Sequence, residues 1–186
     1  MITLSFFFWT LVVLFAVIGA VRGWVKELLV SFSIILALFL MQIALGHVGP
    51  VKKLWGAWSG QTQFYLSSLV IIVFAIFGYH TPNNQRINTS LSKEKKSLVR
   101  HWLQDIMLGG LFGACNGYLL VGTIWYFLHL AKYPVPDYII IPPEAGTRAG
   151  DAALRLIEWL PPVWLQAPAI YFVVGFSLTF IIIVLL

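Results

Sequence analysis

Charged side chains are scarce in this sequence, so the few that stand beside long apolar runs carry the most information. Arg22, Lys26 and Glu27 gather between two such runs, and His101 and Asp105 stand four residues apart at the start of another. A guanidinium, an ammonium and a carboxylate this close can bind a counter-ion, pass a proton or neutralise one another. On one helix Arg22 and Lys26 share a face, with Glu27 placed to offset their charge. The plainest role is a charged turn between two spans. The other is an Arg22 carried to membrane depth inside a bent hairpin, where it needs an acid such as Asp105, because ionisable groups at that depth are expensive. His101 and Asp105 offer only two metal ligands, and His47, His80 and His129 lack ligand spacing around them. The single Cys115 makes neither an intrachain disulfide nor a thiolate cluster. Nucleophile elbow, phosphate loop, zinc-protease and haem-attachment patterns are all missing. The expectation is a chain with no catalytic residue, cofactor or metal site, and no enzymatic activity.

The elements that position these residues belong in lipid. Hydrophobic residues make up 60% of the chain and charged ones 10%, with mean hydropathy +0.88; a globular domain carries roughly 25% charge. Backbone groups at membrane depth must bond within their own helix or a closed barrel. Runs near twenty residues without period-two alternation exclude the barrel. Spans are expected at 2–21, 27–46, 63–80, 106–130 and 167–186. The fold class is all-α: a polytopic membrane protein of about five transmembrane helices with one or two interfacial amphipathic helices. Residues 1–130 form a four-helix membrane region, 131–166 an extracytoplasmic segment and 167–186 a C-terminal span. Met1–Ala20 has no basic n-region and too long an apolar run for a cleaved signal, so it reads as the first span.

Basic residues set the orientation. Seven fall on the side of Arg22, Lys26, Arg86, Lys93, Lys95, Lys96 and Arg100, against five opposite, which places the N-terminus outside and the C-terminus in the cytoplasm. The net charge of +5 then reflects anionic cytoplasmic headgroups rather than nucleic acid. Two segments read as interfacial. In 91–105, Lys93, Lys95, Lys96 and Arg100 lie around Leu91, Leu98 and Trp102, and the segment runs on into the fourth span. In 151–160, Asp151, Arg155 and Glu158 form one polar stripe on an otherwise apolar helix that lies flat on the outer surface. Asn88-Thr89-Ser90 is a formal glycosylation sequon on the cytoplasmic side. Most of the eight tryptophans, including Trp24, Trp55, Trp58, Trp102, Trp159 and Trp164, fall at expected interfaces as anchors.

Gly109, Gly113 and Gly117 recur every fourth residue in the fourth span. That spacing strips one helix face of side chains and lets another backbone approach, a device that matters where lipid gives no hydrophobic drive for helix pairing. Whether the partner helix is internal or from another subunit is open at this stage. Gly19 and Gly23 repeat the spacing next to Arg22. Asn116 lies within the glycine stretch, where an unpaired amide is costly; it either bonds across helices or faces an aqueous groove.

At these two places the sequence resembles the CvpA family, the colicin V production proteins of the bacterial inner membrane. The family's R-G-F-V-R/K-E-L turn stands here as Arg22-Gly23-Trp24-Val25-Lys26-Glu27-Leu28, and its D-x-x-x-G-x-x-F-G-x-x-x-G segment as Asp105, Gly109, Phe112, Gly113 and Gly117. The sequence departs from the pattern in lacking an early acidic residue in the first span. It also has Asn116 where a basic residue is common, and the 131–186 tail is atypical. The resemblance implies a small polytopic protein linked to envelope homeostasis and export, whose matched residues shape a shared helical core, and it supplies no catalytic residues. Self-association or other membrane subunits are the expected partners. A second reading is a non-catalytic subunit of a larger respiratory or photosynthetic complex. A channel or carrier needs a polar path, and the spans offer little beyond Ser31, Ser33, Gln42, Ser67, Ser68, Asn116, Thr123 and Ser177.

Overall fold

Helix boundaries follow from local chemistry at the ends of the apolar runs. In the computed structural model, which describes residues 3–80, 98–136 and 140–185, all regular structure is helical. Helix α1 (Leu4–Arg22) starts where the Thr3 hydroxyl accepts from the Phe6 N–H at 3.3 Å. It stops at Gly23, whose φ of +89° is open to glycine and strained for other residues. Helix α2 (Trp24–His47) begins directly after that single residue. The turn also breaks the register between Arg22 and Lys26, which therefore do not share one helix face. A short α3 (Gly49–Ala57) follows, opened by Pro50 in its first turn. Helix α4 (Gly60–Tyr79) is capped by Ser59, and α5 (Leu98–Leu130) runs unbroken for 33 residues, about 50 Å.

Four helices, α1, α2, α4 and the Trp102–Leu130 part of α5, are long and apolar enough to cross a membrane. This is a polytopic membrane protein. After α6 (Arg148–Ile157) and the single turn of α7 (Pro161–Trp164) comes α8 (Ala169–Leu185). Its 17 described residues reach about 25 Å. Helix α8 is therefore a shorter apolar helix than the span expected at 167–186, and it packs along α2.

Helix α5 is the post against which α1, α2 and α4 pack, and α4 also packs along α2. Two apolar cores result. One joins Val30, Ile34 and Ala37 of α2 to Ile71 and Ala75 of α4, Leu119 of α5 and Ile170 of α8. The other gathers Phe8 and Val12 of α1, Trp125 and Leu128 of α5, and Ala153, Ile157 and Leu160. The amphipathic 151–160 helix is thus seated by its apolar face on α1 and α5, with protein rather than lipid under Ala153 and Ile157. Its expected stripe is also rearranged. Asp151 accepts from the Gly146 N–H at 2.9 Å, and Glu158 has passed the helix end. The expected interfacial segment 91–105 enters the described residues at Leu98 as the first turns of α5; Lys93, Lys95, Lys96, the sequon and the side chains of Arg100 and His101 lie outside them.

Candidate functional site: a buried polar clasp at the α1–α2 turn

The apolar runs on both sides of Gly23 force the charges between them to find partners on neighbouring helices. Glu27, in the first turn of α2, is completely buried. Its Oε1 receives Nη1 of Arg22 at 2.6 Å, and its Oε2 receives Nδ2 of Asn116 at 2.8 Å and the Tyr79 hydroxyl at 3.4 Å. Arg22 donates a second time, from Nη2 to the Tyr79 carbonyl at 3.0 Å, and its guanidinium lies 4.3 Å from the centre of the Tyr79 ring. That carbonyl belongs to the last residue of α4, where helix carbonyls lack internal donors and attract cations.

Asn116, also completely buried, closes the cluster from α5. Its Nδ2 bonds the Glu27 carbonyl at 2.9 Å, and its Oδ1 accepts from Ser31 Oγ at 2.6 Å. Ser31 Oγ is also 3.2 Å from the Glu27 carbonyl; its one proton serves the shorter bond. Four helices therefore meet on one carboxylate. A buried carboxylate held by a guanidinium and two further donors fixes geometry, because removing its charged partner strands a charge in a medium that cannot solvate it.

Asp105 takes a different place from the one weighed for it as the partner of Arg22. Its Oδ1 accepts the Trp24 N–H at 3.3 Å, capping α2, whose cap position Gly23 has no side chain to do so. A Cβ on Gly23 would meet both Asp105 carboxylate oxygens at 3.2 Å. Arg22 pairs with Glu27 instead, five residues ahead across the glycine turn. Lys26 is half-buried and, among the described residues, takes no ion pair. Among those residues no group of three His, Cys, Asp or Glu is placed to hold a metal.

Beside the clasp the glycine face has an internal partner, α1. A Cβ on Gly113 would overlap the Phe15 carbonyl oxygen and stand 2.9 Å from the Gly19 Cα. Gly109 and Gly19 oppose each other in the same way, each meeting the other's carbonyl oxygen. Gly117 sits 3.0 Å from the Val12 Cα by the same construction. Gly110, off this face, has 3.6 Å to its nearest neighbour.

Sequence spacing brought out the glycines, Arg22, Glu27 and Asn116, all of which the fold gathers in one region. Tyr79 gave no signal: it is one aromatic among many at the end of a span. Ser31 stood out only as a rare polar residue, although its place four residues after Glu27 put both on one face of α2.

A membrane bundle whose turns are pinned by a buried ion pair and whose helices meet through glycine is a class of polytopic protein, and this chain has a family within it. It belongs to the Colicin V production protein family, which matches residues 4–140. Every residue of the clasp and of the glycine face falls inside that range, while α6, α7 and α8 lie beyond it. No curated protein and no solved structure matches the chain.

Proposed function

We propose that this protein is a non-catalytic accessory component of the bacterial inner membrane that supports envelope homeostasis or export. Its N-terminus faces outward and its C-terminus the cytoplasm, with the denser group of basic residues against anionic lipid. The observation that carries this reading is the clasp. Glu27, Asn116 and Arg22 direct their polar atoms to one another and to Tyr79 and Ser31, which suits a rigid scaffold on which other membrane components assemble.

The test is genetic. Deleting the protein from its host should sensitise cells to detergents and lower export of a secreted toxin peptide, and the intact chain should restore both. Glu27→Ala, expressed to the same level, should restore neither. Full rescue by that variant, or a deletion strain with no envelope phenotype, would overturn the proposal. A reporter fused to the C-terminal end should be active only in the cytoplasm.

A second reading, a structural subunit of a respiratory or photosynthetic assembly, is favoured by the outer face of α8. Phe172 and Phe176 are each 74% exposed, and Phe176 stacks on Phe180 at 6.2 Å between ring centres. Gentle extraction followed by native gels and mass spectrometry separates the readings. Migration with a large complex at fixed stoichiometry supports the subunit; a monomer or homo-oligomer supports the accessory protein.

A further inference from the structure

The depth at which the chain leaves α6 sets what its charges can face. Tyr118 of α5 marks that depth: its hydroxyl bonds the Trp159 carbonyl and takes the Trp164 indole N–H at 3.1 Å. Four residues further along α5, a Cβ on Gly122 would stand 2.9 Å from Pro161 Cδ and 3.2 Å from Leu160 Cδ2. Both positions belong to the Trp102–Leu130 span, and at ~1.5 Å per residue they lie about 12–18 Å from its Leu130 end. Half of a hydrocarbon core is about 15 Å. The stretch from Trp159 to Trp164 therefore sits near the middle of the spanning bundle, and the last turn of α6 lies within the bundle's height. Arg155 and Glu158 belong to that last turn and its exit, and both are exposed. The one ion pair among the described residues is Arg22–Glu27, so neither has a counter-charge there.

An ionised side chain at that depth does not face lipid; it pairs with another charge or meets water. The backbone makes the same demand, because irregular chain at membrane depth needs protein or water against it. The surface offers one cation and one anion three residues apart, beside Trp159 at 73% and Trp164 at 46% exposure. Such a patch complements itself. In a two-fold contact Arg155 of each copy meets Glu158 of the other, so two ion pairs form and no charge is left over. The dent of about 460 Å³ lined by Glu158, Trp159 and Trp164 suits an entering guanidinium, which the carboxylate neutralises and the indole faces attract. An unlike partner would have to supply both signs at the matching spacing. We propose that this face is the interface between two copies of the chain, closed by reciprocal Arg155–Glu158 pairs. This goes beyond the accessory role above and does not depend on it.

The test counts subunits by single-molecule photobleaching of the full chain, labelled at its N-terminus and reconstituted in liposomes at high dilution. The parent should bleach in two steps. Arg155→Glu or Glu158→Arg alone sets like charges opposite each other twice, and each should weaken the dimer about a hundredfold. Mixing the two single variants in different colours should restore dimers between unlike chains, because each then offers the charge the other lacks. Both substitutions on one chain should dimerise as the parent does. A parent that bleaches in one step overturns the proposal, and that count needs no variant. Single variants that dimerise like the parent overturn it too, as does a mixture that stays monomeric while both variants keep the parent's circular dichroism. Monomeric parent whose Glu158→Cys form, in a Cys115→Ser background, reacts with a water-soluble maleimide would place an aqueous cavity there instead. None of these outcomes bears on the envelope phenotype, which tests the accessory role separately.

Discussion

Two regions of α5 are held to the rest of the bundle by opposite means. Near the α1–α2 turn, one carboxylate gathers four helices through an ion pair and hydrogen bonds. Toward the other end, Phe8, Trp125, Leu128, Ile157 and Leu160 form an apolar core roofed by α6 and α7. The difference lies in what each region has to bury. Between helices already in hydrocarbon, burying an apolar side chain removes no water, so association relies on close packing and polar bonds. The roof is built from a segment with Asp151, Arg155 and Glu158 on its outer side. Its apolar side, Ala153, Ile157 and Leu160, packs on Phe8, Trp125 and Leu128 with no polar bond needed to hold it. Polar atoms fix the register at the clasp, and apolar packing closes the roof.

The largest effect is expected on the glycine face beside the clasp. Gly113→Leu places a side chain where the Phe15 carbonyl and the Gly19 Cα already stand. Both obstacles are backbone, so the helices must separate. Folded protein should be lost, seen as aggregation in size-exclusion chromatography. Gly110→Ala, with 3.6 Å of room, should behave as the parent. Two normal profiles would mean that α1 and α5 do not approach through this face.

Next in size is the clasp itself. Glu27→Ala strips the Arg22 guanidinium of its carboxylate and Asn116 of one of its acceptors, and should cost about 3–5 kcal/mol, measured by unfolding in mixed micelles. Replacing the ion pair on both sides, Arg22→Met with Glu27→Leu, should lose less than the single variant, because no charge is then stranded. At the opposite end, Leu160→Ala removes a completely buried side chain and should cost about 2–5 kcal/mol through the cavity it leaves. Added salt should lessen the loss for Glu27→Ala slightly, because Arg22 is 23% exposed to screening ions, and should leave the loss for Leu160→Ala unaltered.

How much of this was legible in the sequence depended on whether a signal was local. The glycine spacing, the charged turn and the apolar runs each lie within one helix or one turn, and they gave the spans and most of the clasp. What escaped needed distance in the chain. Tyr79 meets Arg22 across 57 positions, and no periodicity links them. Charge sign alone makes Asp105 a candidate partner for Arg22. The glycine at position 23, with its positive φ, gives Asp105 a backbone N–H to cap and turns Arg22 toward Glu27. Helix α3 falls between two expected spans; Gly49-Pro50 is a helix-start signal, but nine residues carry too few apolar positions to show a period. The apolar face of α6 was legible; that it rests on α1 and α5 was not, since amphipathicity does not distinguish lipid from protein as the apolar partner.

The smallest effect gives the sharpest test of whether the two ends are separate. Thr147 caps α6 by accepting the Gly150 N–H at 3.0 Å, and Thr147→Ala should cost about 1 kcal/mol. That loss falls on the roof alone if the apolar end opens as its own unit. Hydrogen exchange should then quicken at the amides of 150–157 and stay unchanged in the first turn of α2, around Glu27. Faster exchange at both places would show that α5 transmits the loosening along its length, and that the clasp depends on the roof. The geometry favours independence: Glu27 and Asn116 bond to residues of α1, α2, α4 and α5, none of which belongs to α6.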